Sequence, residues 1–181
     1  MRVATFLTAA AAAMLLAGCS RPTAAPSGPD VSAPPPPERT DAQRIAALAA
    51  LPAPYNQADL ENGASRFALC RSCHTINQGG SASTGPNLFG HVGRPAASLP
   101  GFNYSAELRA AGIVWDGPNL DRWLTNPRAM VPGTKMIFVG MPDATNRRDL
   151  IAYLMVEGSP PPATASTAAP TAEGTVPAAG Q

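Results

Sequence analysis

The chain has 181 residues, among them 21 prolines, with 13 basic against 12 acidic side chains and a net charge of +1 at neutral pH. With only 14% of its residues charged, it has no basic surface for nucleic acid. Most of the prolines stand before Tyr55 or after Glu157, in flanks with few large apolar side chains, so these flanks cannot offset the roughly 1–2 kcal/mol per residue that ordering a backbone costs.

At the start of the chain, Arg2 supplies a short positive segment, Val3 to Leu16 an apolar run, and Leu16-Ala17-Gly18-Cys19 a close of small residues before a cysteine. This reads as an export signal over 1–18. The last four residues resemble the lipobox of bacterial lipoproteins, which implies cleavage before Cys19 and lipid on that cysteine. An ordinary cleaved signal with Cys19 a bystander, and an uncleaved anchor helix, are the alternatives, although the apolar run is short for the roughly 20 residues a span needs. Each reading places the protein outside the cytoplasm, on the periplasmic side of a bacterial membrane. Residues 19–55 form a Pro/Ala-rich linker whose Pro34 to Pro37 stretch favours stiff, extended geometry. Asp41 to Leu51 can form a short Ala-rich helix within it. At about 3 Å per residue such a linker reaches on the order of 100 Å, a tether that lets a domain move between membrane partners.

One folded domain is expected over 56–157, followed by a tail over 158–181 with the Pro/Ala/Thr composition of a disordered segment. The domain is small for a self-sufficient core, and a bound prosthetic group would supply apolar mass. Its first helix is read over Ala58 to Leu69, where Leu60, Ala64, Phe67 and Ala68 fall at helical spacing. Next comes Cys70-Arg71-Ser72-Cys73-His74, a C-x-x-C-H run and the attachment signature of c-type haem. Two cysteines one turn apart can clamp an edge of the porphyrin by adding to its vinyl groups, and the adjacent histidine can ligate iron. A thioredoxin-like C-x-x-C would need a strand before it, where a helix is read instead. A zinc site would need two more ligands, and the only other histidine, His91, has no cysteine beside it.

A low-spin electron carrier of fairly high potential has a methionine thioether opposite the histidine. Of Met130, Met136, Met141 and Met155, Met136 stands apart, because Pro132-Gly133-Thr134-Lys135 before it is turn-forming and holds the chain extended. Met155 lies on the apolar face of the last helix, where it packs, and Met130 and Met141 are weaker substitutes.

From about Asp59 to Glu157 the sequence resembles class I cytochromes c of the mitochondrial and alphaproteobacterial type. The matching residues are Gly63 and Phe67, Cys70 to Thr75, Gly85-Pro86-Asn87-Leu88, Gly93-Arg94, Pro100-Gly101-Phe102, Tyr104, Trp115, Asn126-Pro127, Pro132 to Phe138, and Asp149 to Leu154, in family order. The resemblance implies an all-α class I cytochrome c fold, with helices near 59–71, 105–111, 117–125 and 144–156 and long loops wrapped around one covalent haem c. It implies that Pro86 offers its carbonyl to the His74 ring and that Arg94, Tyr104, Ser105 and Trp115 surround the haem propionates. Trp123 and Thr134 belong to the same environment, and Gly63 and Phe67 pack on the last helix near Leu150 and Tyr153.

Three departures stand out. The family's docking face carries a ring of lysines, whereas this chain has a single lysine, Lys135; the basic and acidic side chains of the domain nearly balance, so long-range steering should be weak. Trp123 stands where a tyrosine is common near the ligand methionine, and Leu108 where a polar residue often supports buried water. The expected function is one-electron transfer by a His74/Met136-ligated haem c. The expected partners are redox complexes, namely a quinol–cytochrome c oxidoreductase and a terminal oxidase or photosynthetic reaction centre, with the membrane reached through the anchor. With both axial positions filled, no catalysis is expected. A haem subunit fixed to a dehydrogenase or oxidase, and a sensor or enzyme with a labile Met136, are the alternatives.

Overall fold

The computed structural model describes residues 38–161; the expected signal segment, Cys19 and most of the tail lie outside them. The helices are α1 (Asp41–Ala49), α2 (Leu60–Phe67), α3 (Ala106–Ala110), α4 (Gly117–Thr125), α5 (Pro127–Met130) and α6 (Ala144–Glu157), with a 3-10 turn at Tyr55–Gln57 before α2. Among the described residues there is no strand beyond one isolated bridge, Pro95 with Val114. It is extended by the Gly93 N–H to Trp115 O and Ala96 N–H to Ile113 O bonds. None of these helices is long and apolar enough to cross a membrane.

Each helix begins where a side-chain oxygen can satisfy its first N–H groups. Thr40 and Gln43 form a reciprocal capping box on α1. Asp59 accepts from Glu61 and Asn62 on α2, Ser105 from Leu108 on α3, Asp116 from Asn119 on α4, and Asp143 from Asn146 on α6. The first helix of the domain is shorter than its expected 59–71. After Phe67 the chain tightens into turns, with Cys70 N–H bonded to Phe67 O and Cys73 N–H to Cys70 O. These i→i+3 bonds let the chain turn the cysteines out of the helical register. Helix α5 was not foreseen; Asn126 caps it and Pro127 begins it.

The core is organised on α6, whose Leu150, Ile151 and Ala152 have no exposed surface. Helix α2 crosses it closely because Gly63 has no side chain: a Cβ there would collide with Asp149 O and lie 2.7 Å from Tyr153 Cβ. Phe67 and Tyr153 stack with ring centroids 5.6 Å apart, so the expected packing of Gly63 and Phe67 on this helix is present. Asp149 seals the crossing from within. Its carboxylate accepts from the Asp59 N–H, Asn62 Nδ2 and the Arg148 guanidinium. Two residues earlier, buried Arg147 joins α6 to α4 and the preceding loop through Asp121, Met141 O and Pro142 O.

Residues 38–55, which composition assigns to the linker, pack on the domain. Arg39 is buried and donates to Ser159 O and Pro160 O at 2.7 and 2.8 Å. Arg44 pairs with Glu157 at 2.8 Å, and Leu48 and Leu51 rest against the core. Tyr55 is buried with its ring over Gly117, where a Cβ would lie 2.6 Å from Cζ. This N-terminal segment and the end of α6 satisfy one another's polar groups, which is why a stretch with little apolar content is nevertheless held.

Candidate cofactor site

The loops between α2 and α4, the 134–138 segment and one face of α6 enclose a cavity of about 440 Å³. That lies in the range of roughly 300–1,000 Å³ usual for cofactor sites. Its walls are mainly apolar, from Leu88, Leu120, Leu124, Leu150, Leu154, Trp115 and Phe138. Protein interiors are otherwise close-packed, so a cavity of this size at the centre of a small domain is a ligand site and not a packing fault.

Cys70, Cys73, His74, Pro86, Tyr104, Ser105, Trp115, Trp123, Thr134 and Met136 all line it. Of the methionines in the described residues, Met136 alone does so; Met141 is buried elsewhere, and Met130 and Met155 pack against the core. Arg94 is the exception among the expected residues. Its side chain is exposed and outside the lining, while its backbone joins the loop to the strand-like 113–115 segment.

The histidine is held firmly. His74 Nδ1 donates to Pro86 O at 2.8 Å, which leaves the Nε2 lone pair of the neutral ring free for a metal. Burial lowers the His74 pKa, with the Pro86 carbonyl opposing in part, so the neutral form is favoured. The loop that carries Pro86 is itself pinned by Gly85 N–H to Cys73 O, Leu88 N–H to Thr75 O, and Asn87 Nδ2 to Thr75 Oγ1. Gly85 lies flat against the imidazole: a Cβ there would be 2.6 Å from Nδ1.

Cys70 and Cys73 form no disulfide with each other. Burial, with a smaller contribution from Cys73, pushes the Cys70 thiol up to about 11. A dithiol oxidoreductase needs the opposite, a thiolate near neutral pH. Among the described residues no three His, Cys, Asp or Glu side chains converge as a metal donor set, so a zinc site lacks its ligands.

On the distal side, Met136 N–H donates to Thr134 Oγ1 at 3.2 Å, and Lys135 Nζ donates to Asn103 O at 2.9 Å, which ties the methionine loop to the 102–105 loop. Trp123 lies 5.2 Å from Trp115, ring centroid to ring centroid. The buried Tyr104 hydroxyl, in the same lining, has no hydrogen-bond partner among the described residues.

No family model matches the chain. Individual proteins do. It is 41% identical over 103 residues to the cytochrome c2 of Rhodomicrobium vannielii, covering 57% of this chain and 82% of that one. The chain belongs to the class I cytochrome c family. The cytochrome c of Theileria annulata is 46% identical over 99 residues, covering 54% of this chain and 85% of that one. Among solved structures, cytochrome cH from Methylobacterium extorquens is 39% identical with a TM-score of 0.51, covering 54% of this chain and 97% of that one. The fold is thus the all-α class I cytochrome c fold, and the family's cofactor is one covalent haem c. The site fits that group: an apolar cavity, two thiols and an oriented imidazole at one wall, a thioether in the lining, and an unpartnered buried hydroxyl for a polar substituent. A residue that sequence reasoning passed over also belongs to the lining. His91, considered only as a zinc ligand, is 7% exposed and faces the cavity; a lone histidine in a loop carries no spacing signal that would have found it.

Proposed function

We propose that this cytochrome is a one-electron carrier whose haem is joined to Cys70 and Cys73, with His74 Nε2 and Met136 Sδ as the axial ligands. The convergence of all four side chains on one apolar cavity carries this reading. Haem supplies the redox chemistry, an iron that gains and loses one electron. The protein supplies the rest. Pro86 fixes the ring angle of His74, Thr134 and Lys135 hold the methionine loop closed, and the leucine and tryptophan walls keep water from the buried charge. Held by His74 and Met136 together, the iron would offer no open site to a substrate.

The opening of the cavity suits a docking partner. Leu69 and Ile137 belong to the lining yet are 61% and 75% exposed. An apolar rim at the mouth supports short-lived contact with redox complexes, quinol–cytochrome c oxidoreductase on one side and a terminal oxidase or reaction centre on the other. The N-terminal sequence supports a periplasmic location with lipid on Cys19.

A visible spectrum of protein matured in the periplasm tests the ligand set. The expected result is a pyridine adduct of covalently retained haem c, with the weak far-red band of methionine sulfur on ferric iron. Covalent haem without that band would remove Met136 as ligand, and binding of carbon monoxide to the reduced protein would then favour the sensor or enzyme reading. No covalent haem would overturn the proposal.

A further inference from the structure

Three buried side-chain polar atoms among the described residues lack a hydrogen-bond partner: His91 Nε2, Ser98 Oγ and Tyr104 Oη. Two of the three, those of His91 and Tyr104, belong to residues that line the cofactor cavity. Buried polar groups are nearly always paired, and one left alone costs about 1–3 kcal/mol. The missing partner of His91 therefore belongs to whatever fills the cavity. In a haem the four pyrrole nitrogens are taken by iron, so the two propionate carboxylates are its only hydrogen-bond acceptors.

We infer that His91 Nε2–H donates to a haem propionate. The inference rests on the haem site proposed above. The other ring nitrogen is 3.4 Å from Phe89 O, a long and weak hydrogen bond that competes poorly for the single proton of the neutral ring. A carboxylate at Nε2 offers the stronger, charge-assisted bond and draws the proton there. Arg94 N–H bonds to His91 O at 3.0 Å, and the Arg109 guanidinium lies 5.6 Å from the centre of the Tyr104 ring, so each of the two groups has an arginine close by in the structure. The backbone makes the arrangement rigid: His91 N–H bonds to Leu88 O, and Gly90 N–H to Gly158 O at the end of α6. His91 is then a positioning residue that compensates propionate charge and tunes the haem potential.

The test uses the holoprotein, after a pyridine adduct has shown covalent haem; failure at that step strikes the proposed haem site and not His91. Resonance Raman spectra of the wild type, H91L, H91Q and Y104F report propionate hydrogen bonding through the propionate bending band. That band is expected to shift in H91L and to return toward the wild-type position in H91Q, whose amide keeps a donor. The midpoint potential at fixed pH should fall in H91L, because an uncompensated carboxylate stabilises ferric iron. An unchanged band and potential in H91L overturn the inference, whatever Y104F shows. A measurement on the wild type covers the case in which H91L does not mature. In the diamagnetic ferrous protein, nitrogen-15 correlation spectra of the histidine ring are expected to show the proton on Nε2 of His91, and a proton on Nδ1 with a bare Nε2 would overturn the assignment.

Discussion

At His74 a single glycine decides whether the ring can stand where it does. Gly85 has no room for a methyl group against the imidazole, so G85A must push the ring away and break its 2.8 Å bond to Pro86. Overpacking of this kind costs about 1–3 kcal/mol. The expected outcome is a lower melting temperature together with a disturbed low-spin spectrum, read by thermal denaturation and visible absorption on the same sample. Met136 makes a separate prediction. M136L keeps the volume of the side chain and removes the sulfur, so the ferric far-red band should vanish and the reduced protein should bind carbon monoxide. The sequence singled out Cys70, Cys73, His74 and Met136 for a chemical reason, since covalent attachment and ligation would demand cysteine, histidine and methionine at set places, and the four side chains line one cavity. His91 illustrates the converse, since its meaning depends on which cavity its loop faces.

Among the elements, the α2–α6 crossing depends on one buried carboxylate. Burial alone would raise the pKa of Asp149, but bonds from Asn62, Arg148 and the Asp59 N–H outweigh it, so the net shift is downward. A carboxyl depressed in the folded state contributes stability that is fully present above its unfolded pKa and is lost as the pH falls through the folded value. D149A strands the Asn62 and Asp59 donors and should cost about 3 kcal/mol. Denaturant titrations across pH are expected to show the difference from wild type shrinking on the acid side as Asp149 of the wild type protonates. The helices that sequence reading located best were those with strong caps, α4 at Asp116 and α6 at Asp143. It extended α2 too far because the C-x-x-C-H turns keep helix-forming residues, and it missed the four-residue α5, whose pattern is too short to show a period. The seat of α1 was beyond its reach for another reason. An Ala-rich helix with Ile45, Leu48 and Leu51 reads alike whether or not it has a surface to rest on, and the acceptors of Arg39 lie 120 and 121 residues away. R39A should destabilise the domain by about 1.5–3 kcal/mol, the range for hydrogen bonds from a charged group, as measured by urea denaturation.

For the molecule as a whole, charge is sparse where electron carriers commonly display it. The chain's one lysine is engaged by the Asn103 carbonyl, and the mouth of the site is rimmed by Leu69 and Ile137. Association with a redox partner should then owe little to long-range attraction. Stopped-flow rates of electron transfer are expected to stay within about twofold between low and physiological ionic strength, whereas a steered encounter would slow steeply over the same range. L69E would introduce a charge into that rim and should slow the reaction without moving the visible spectrum.

The clasp between Arg39 and the end of α6 also resets a length. For a domain tethered at Cys19, as proposed, residues 38–55 would belong to the folded body and add nothing to the reach of the tether. At about 3.1 Å per residue of extended chain, the 18 residues so seated would take roughly 56 Å from that reach. The volume a tethered domain can sweep scales with the cube of its reach, so it would contract steeply, and the effective concentration of the carrier at a complex within range would rise by the same factor. Partners would then have to stand close to the anchor, and for those that do, confinement would supply the encounter frequency that a charged face otherwise provides.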